Sequence, residues 1–188
     1  MNEKLLGSRR KALEDSFFAK ENEKLRQALQ EKKSAQAKRE ALSAASGVTD
    51  DTVLDELITL DISSDTLAAL SLVPLVEVAW ADGSIDEKER SAILAAAAHA
   101  GLERDGASYQ LLQGWLAVQP ESKVLAAWKD YVAALSNTLS ADANAALKQD
   151  LLGRARSVAE AAGGFLGLGS KISSAEQAML NELEQAFS

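Results

Sequence analysis

The chain has 188 residues, of which 47% are hydrophobic and only 5% aromatic, with two prolines and no cysteine. This composition argues against global disorder and excludes disulfides, thiolate metal sites and a cysteine nucleophile. The net charge of −8 is uneven, because residues 1–46 carry 11 Lys and Arg against 7 Asp and Glu, whereas residues 47–188 carry 9 against 21.

From Glu3 to about Leu42 no glycine or proline follows Gly7, and the segment reads as one long helix. Its apolar residues Leu6, Leu13, Phe17, Phe18, Leu25 and Leu29 keep a stripe on one side. So charged a helix cannot bury itself, so the stripe must meet the rest of the chain, another copy or a partner. Residues 44–51 break the pattern, with Gly47 as the expected C-cap. A short helix follows over residues 51–60, capped by Thr49 or Asp50. Ser63 or Ser64 then caps a helix over 65–81, in which Pro74 makes either a kink or a boundary between two helices. Further helices are predicted over 86–100, 107–118, 120–139, 142–162 and 174–187. No segment alternates with a period of two, so no sheet is expected and the fold class is all-α. Two parts follow: a charged amphipathic arm over 1–46 and a helical domain over 47–188.

The most informative stretch is VAWADGSIDEKERSAILAAAAHAG, residues 78–101. A helix ends at Trp80–Ala81, Gly83 permits a left-handed turn, and Asp86 begins the next helix. Asp86 and Glu89 have the spacing of a capping box, and both favour the positive end of the helix they open. The same grammar returns in residues 157–180, where Ile172, Ser173 and Glu176 repeat Ile85, Asp86 and Glu89. Two helix-turn-helix units with matching caps suggest a pseudo-repeat, with both isoleucines plugging a shared core.

VAWADGSIDEKE resembles the signature of TerB-like domains, the tellurite-resistance family, which carries an A-D-G-x-I-x-x-x-E turn, here Ala81, Asp82, Gly83, Ile85 and Glu89. The resemblance covers residues 65–188 and rests on about 12 specific residues. It implies a helical bundle with a second related turn, a role filled here by residues 163–176. It also implies a stress-related setting and acidic positions associated with metal. The late turn has Gly163 and Gly164 in place of a matching acid, and the arm lies outside the usual domain. Residues 12–29 of the arm loosely resemble the helical arms of small ATPase-inhibitor proteins.

Asp82 to Glu89 match the second half of a calcium-binding EF-hand loop, but the first two ligand positions would fall on Val78 and Trp80, which supply no side-chain oxygen. This is not an EF-hand. Asp82, Asp86 and Glu89, with Glu77 as a further donor, form a candidate oxygen site for a divalent cation, calcium or magnesium. Capping alone accounts for the same acids.

His99 is the sole histidine, at the end of a helix whose dipole favours it, and no nucleophile or orienting partner accompanies it. GGFLGLGS, residues 163–170, lacks the spacing of a phosphate loop. It reads as a turn whose Phe165 and Leu166 either enter the core or form an apolar docking element for a partner or a membrane surface. Trp115, Trp128 and Tyr131 read as core, on antiparallel helices either side of Pro120.

The expectation is a non-enzymatic, cytoplasmic binding or regulatory module with a protein partner. Its contacts are expected through Leu13, Phe17, Phe18, Leu25 and Leu29 or through Phe165 and Leu166. The alternative is an inhibitor-like regulator acting through the N-terminal helix. An acidic body makes nucleic acid an unsuitable partner. The longest apolar stretch, residues 67–76, contains Ser71 and Pro74 and is too short to span a bilayer. With no signal-like run at the N-terminus, the cytoplasm is the expected location.

Overall fold

A computed structural model describes the backbone of residues 3–162 and 172–187, and the side chains of the same residues except 3–19, 21, 22 and 162. Among the described residues there are nine helices and no strand: α1 (Glu3–Ser46), α2 (Asp51–Thr59), α3 (Leu67–Leu70), α4 (Val73–Ala79), α5 (Glu87–His99), α6 (Ala107–Ala117), α7 (Ser122–Ser136), α8 (Ala141–Ala162) and α9 (Ser174–Gln185). The all-α class follows from a composition in which alanine and leucine carry most of the apolar content. The chain forms two compact units, Met1–Glu40 and Ala41–Ser188, with the boundary inside α1.

In the larger unit α4 is the central element. All seven of its residues are buried, and it packs against α5, α7, α8 and α9. Its sequence VPLVEVA is apolar all round apart from Glu77, the signature of a helix enclosed on every side. Around it lie Trp128 and Val132 of α7, Ala155, Val158 and Ala159 of α8, and Leu180 and Leu183 of α9, all in one continuous core. The alanines on α8 let the backbones of α4 and α5 approach closely. α2 packs on α7 and α3 on α6, completing the unit.

The last turns of α1 belong to this unit. Leu42 is fully buried, and Gly47 adopts φ +73 to end the helix, its N–H donating to the Ser43 carbonyl at 2.9 Å. The Ser43 hydroxyl donates to the Val48 carbonyl at 2.7 Å, so the exit from the helix is held from both sides. Asp50, rather than Thr49, caps α2, its carboxylate accepting from the Thr52 and Val53 N–H groups.

The region around Pro74 corrects one expectation. No single helix spans 65–81; the chain makes two short ones, α3 and α4, and Pro74 lies in the first turn of α4. A proline there surrenders an N–H that has no partner in any helix, so a boundary costs less than a kink. Neither Ser63 nor Ser64 caps a helix. Ser63 takes part in a turn instead, its N–H donating to the Thr66 hydroxyl at 2.8 Å, and α3 starts without a side-chain cap. The helix placed at Pro120 starts two residues later, at Ser122, and Pro120 lies in the connection. At α8 it is Ser140 that caps, accepting from the Ala143 N–H at 3.3 Å.

Candidate functional site

The turn at Asp82 is built from its two flanking helices. α4 ends at Trp80, and Gly83 closes the turn with an N–H donated to the Trp80 carbonyl at 2.8 Å. Gly83 has φ +94, where a side chain would be strained. Asp82 accepts from the Ser84 N–H at 3.1 Å and from its hydroxyl at 3.4 Å. Asp86 accepts from the Lys88 and Glu89 N–H groups at 2.7 and 2.8 Å, and Glu89 accepts in return from the Asp86 N–H at 2.8 Å. The capping box expected from the spacing is complete.

The turn also clips onto α6, a function the sequence did not disclose. The Trp80 indole donates to the Trp115 carbonyl at 2.9 Å, and Arg90 donates to the Leu116 carbonyl at 2.6 Å. Both acceptors are last-turn carbonyls of α6, which have no partner within their own helix. Residues on either side of the turn therefore finish a helix far away in sequence. Hydrophobic periodicity carries no trace of such a bond; a tryptophan and an arginine flanking a tight turn were the only available signal.

The second turn carries a matching box. Ser173 accepts from the Glu176 N–H at 3.2 Å, and Glu176 accepts from the Ser173 N–H at 2.6 Å. Glu89 and Glu176 are each only 5% exposed. Burial pushes the Glu89 carboxyl up to about 7; the bond from the Asp86 backbone opposes this, while the charges of Asp86, Glu176 and Asp82 reinforce it. The two boxes thus lie within electrostatic reach of each other. Ile85 and Ile172 are partly buried against the core.

In this arrangement Asp82, Asp86 and Glu89 spend oxygens on backbone N–H groups. Glu77 takes no part in these bonds and feels the charges of Glu182 and Lys129. Among the described residues no three His, Asp or Glu side chains gather into a group able to hold a metal ion.

Elsewhere, Trp115 and Trp128 are buried and Tyr131 is partly buried, with burial raising the Tyr131 hydroxyl above its ordinary range. The Trp128 ring meets Phe187 edge-on, with centroids 6.1 Å apart. His99 is exposed at the end of α5, and with Arg154 it borders a groove of about 560 Å³ floored by Ala92, Ala96 and Val158.

On the arm, Leu25 is 60% and Leu29 52% exposed. Every described side chain from Glu23 to Lys38 is exposed as well. The side chains of Leu13, Phe17 and Phe18 lie outside the described residues, although their backbone is helical. Phe165 and Leu166 lie outside the described residues altogether. No helix among the described residues is long and apolar enough to cross a membrane. Compared with known protein families, curated proteins and solved structures, the chain matches none.

Proposed function

We propose that the chain is a non-enzymatic helical module that binds a protein partner through its N-terminal arm, with a TerB-like domain as its folded body. The observation that carries this reading is the exposure of Leu25 and Leu29 on a helix that no core of its own accounts for. In residues 41–188, by contrast, Val118 is the one large hydrophobic among the described residues that is strongly exposed. Two leucines four residues apart on a helix form one short apolar contact strip. Arg26, Lys32 and Lys33 surround it, within an arm that has four more positive than negative charges. The complementary surface is an apolar groove edged by carboxylates, the usual receptor for a basic amphipathic helix.

The TerB-like assignment rests on Ala81, Asp82, Gly83, Ile85 and Glu89, and the paired capping boxes at 86–89 and 173–176 support it. It would place the module in a cytoplasmic response to chemical stress. An inhibitor-like regulator would use the same arm, and differs only in what the partner does once bound.

Capture from the native host with the full chain as bait, followed by mass spectrometry, is the test. A partner retained by the wild type and lost by Leu25→Glu/Leu29→Glu supports the reading. The same proteins retained by both overturn it.

A further inference from the structure

Glu77 is the one buried side-chain atom donor or acceptor group among the described residues that lacks a partner, at its Oε1. It is 6% exposed and lies in the middle of α4, the most enclosed helix of the fold. A charged carboxylate in such a place has at least this oxygen stripped of water with no hydrogen bond to replace it. A nearby cation would offset that loss, and Lys129 of α7 is near enough to act on Glu77. Yet the Lys129 ammonium is bound to Glu182 of α9, with Nζ and Oε1 2.5 Å apart. Glu182 in turn places a negative charge against Glu77. Two charges thus act on Glu77 from outside α4, Glu182 from α9 and Lys129 from α7; α5 and α8, which also pack on α4, add none.

We infer that Glu77 is a proton-dependent latch for α9: a neutral carboxyl lets α9 seat on α4, and its ionisation sets Glu77 against Glu182 and loosens that helix. The geometry makes α9 the element that yields. It is the helix that brings the like charge, and its ion pairs, Lys129–Glu182 and Lys148–Glu184, sit at partly exposed positions. Burial, then the Glu182 charge, pushes the Glu77 carboxyl up to about 7, with Lys129 opposing. Seating therefore weakens as pH rises from the ordinary carboxyl value of 4.5 and levels off near 7, where the seated carboxyl itself ionises. The proposal does not depend on what the arm binds.

Hydrogen exchange of the full chain between pH 4.5 and 8.5, corrected for intrinsic rates, reads the latch directly. Protection of the α9 amides should fall by roughly tenfold or more as pH rises from 4.5 and should level off near 7, while α2 and α6 change less. Glu77→Gln, which keeps the shape of the neutral acid, should leave α9 protected across the range. Glu182→Gln removes the like charge and should make the fall smaller and level off at lower pH, so the idea stays testable if Glu77→Gln folds poorly. Because Glu89 titrates in the same range, Glu89→Gln is the control and should preserve the α9 transition. The inference is overturned if Glu77→Gln follows the wild-type curve, if Glu89→Gln alone abolishes the fall, or if Glu182→Gln leaves its size and levelling-off point unchanged.

Discussion

Two helical stretches of this chain are stable for opposite reasons. In α4 every residue from Val73 to Ala79 is buried, and the helix is seven residues long. From Glu23 to Lys38 in α1 every described side chain faces solvent, within a helix of 44 residues. A seven-residue helix rich in valine would not persist alone, because nucleation is costly and β-branched side chains lose rotamers in a helix. α4 is therefore helical because its neighbours enclose it. The arm has no such enclosure, yet Ala, Glu, Lys, Gln, Leu and Arg fill it, the residues of highest helix propensity. Side-chain pairs one turn apart help, such as Gln36 donating to Glu40 at 2.9 Å. Packing makes one helix and propensity the other, so substitutions should separate them cleanly.

The largest effect is expected from truncation in the enclosed region. Leu75→Ala removes a side chain with no exposure from the centre of α4, and Trp128→Ala empties the space between α7 and the C-terminal Phe187. Each should cost about 3–5 kcal/mol in denaturant unfolding, the usual range when a cavity cannot collapse. A loss under about 1 kcal/mol would mean that α4 is not the keystone of this unit.

The second effect is a pH dependence of the larger unit. Glu77 and Glu89 are both raised from 4.5 to about 7 in the folded state, so folding favours their protonated forms. That stability is fully present below pH 4.5 and is lost as pH rises towards 7, by at most about 1.4 kcal/mol per pH unit for each carboxyl. Urea midpoints measured from pH 4.5 to 8 should fall and then level off. Midpoints rising through this interval would contradict both assignments.

The two capping boxes offer a smaller and more local comparison. Asp86→Ala removes acceptors for two N–H groups, whereas Ser173→Ala removes one. Both should destabilise, by about 1–2 kcal/mol and about 1 kcal/mol respectively, with the larger value at Asp86, where a charge also meets the helix dipole. Equal losses would show that the hydrogen bond alone matters.

Much of this was legible from local chemistry. Asp86–Glu89 and Ser173–Glu176 announced two helix starts because capping is a contact within four residues, and Gly47 marked the end of α1 with a left-handed φ of +73. Legibility failed where a distant element decides. Pro74 allowed either a kink or a break, and the enclosure of α3 and α4 by separate neighbours selects the break. The charges that reach Glu77 were equally hidden, because nothing in VPLVEVA reveals that α7 and α9 supply Lys129 and Glu182. The clip of Trp80 and Arg90 onto α6 spans 35 and 26 residues, beyond the reach of any local pattern.

The smallest stability change is expected on the arm, and it is the most telling. Leu25 and Leu29 are exposed, so Leu25→Ala/Leu29→Ala removes little buried surface and raises helix propensity slightly. Unfolding of the chain should shift by less than about 0.5 kcal/mol, and helicity by circular dichroism should hold or increase. A surface that tolerates the loss of its two largest apolar groups without harm to folding has no structural need for them. Retaining them is then explained by what they touch, and the same double variant should weaken capture of the partner. A loss of several kcal/mol would instead show that the strip is buried by the chain's own association, and analytical ultracentrifugation of wild type and variant would then show a larger species only for the wild type.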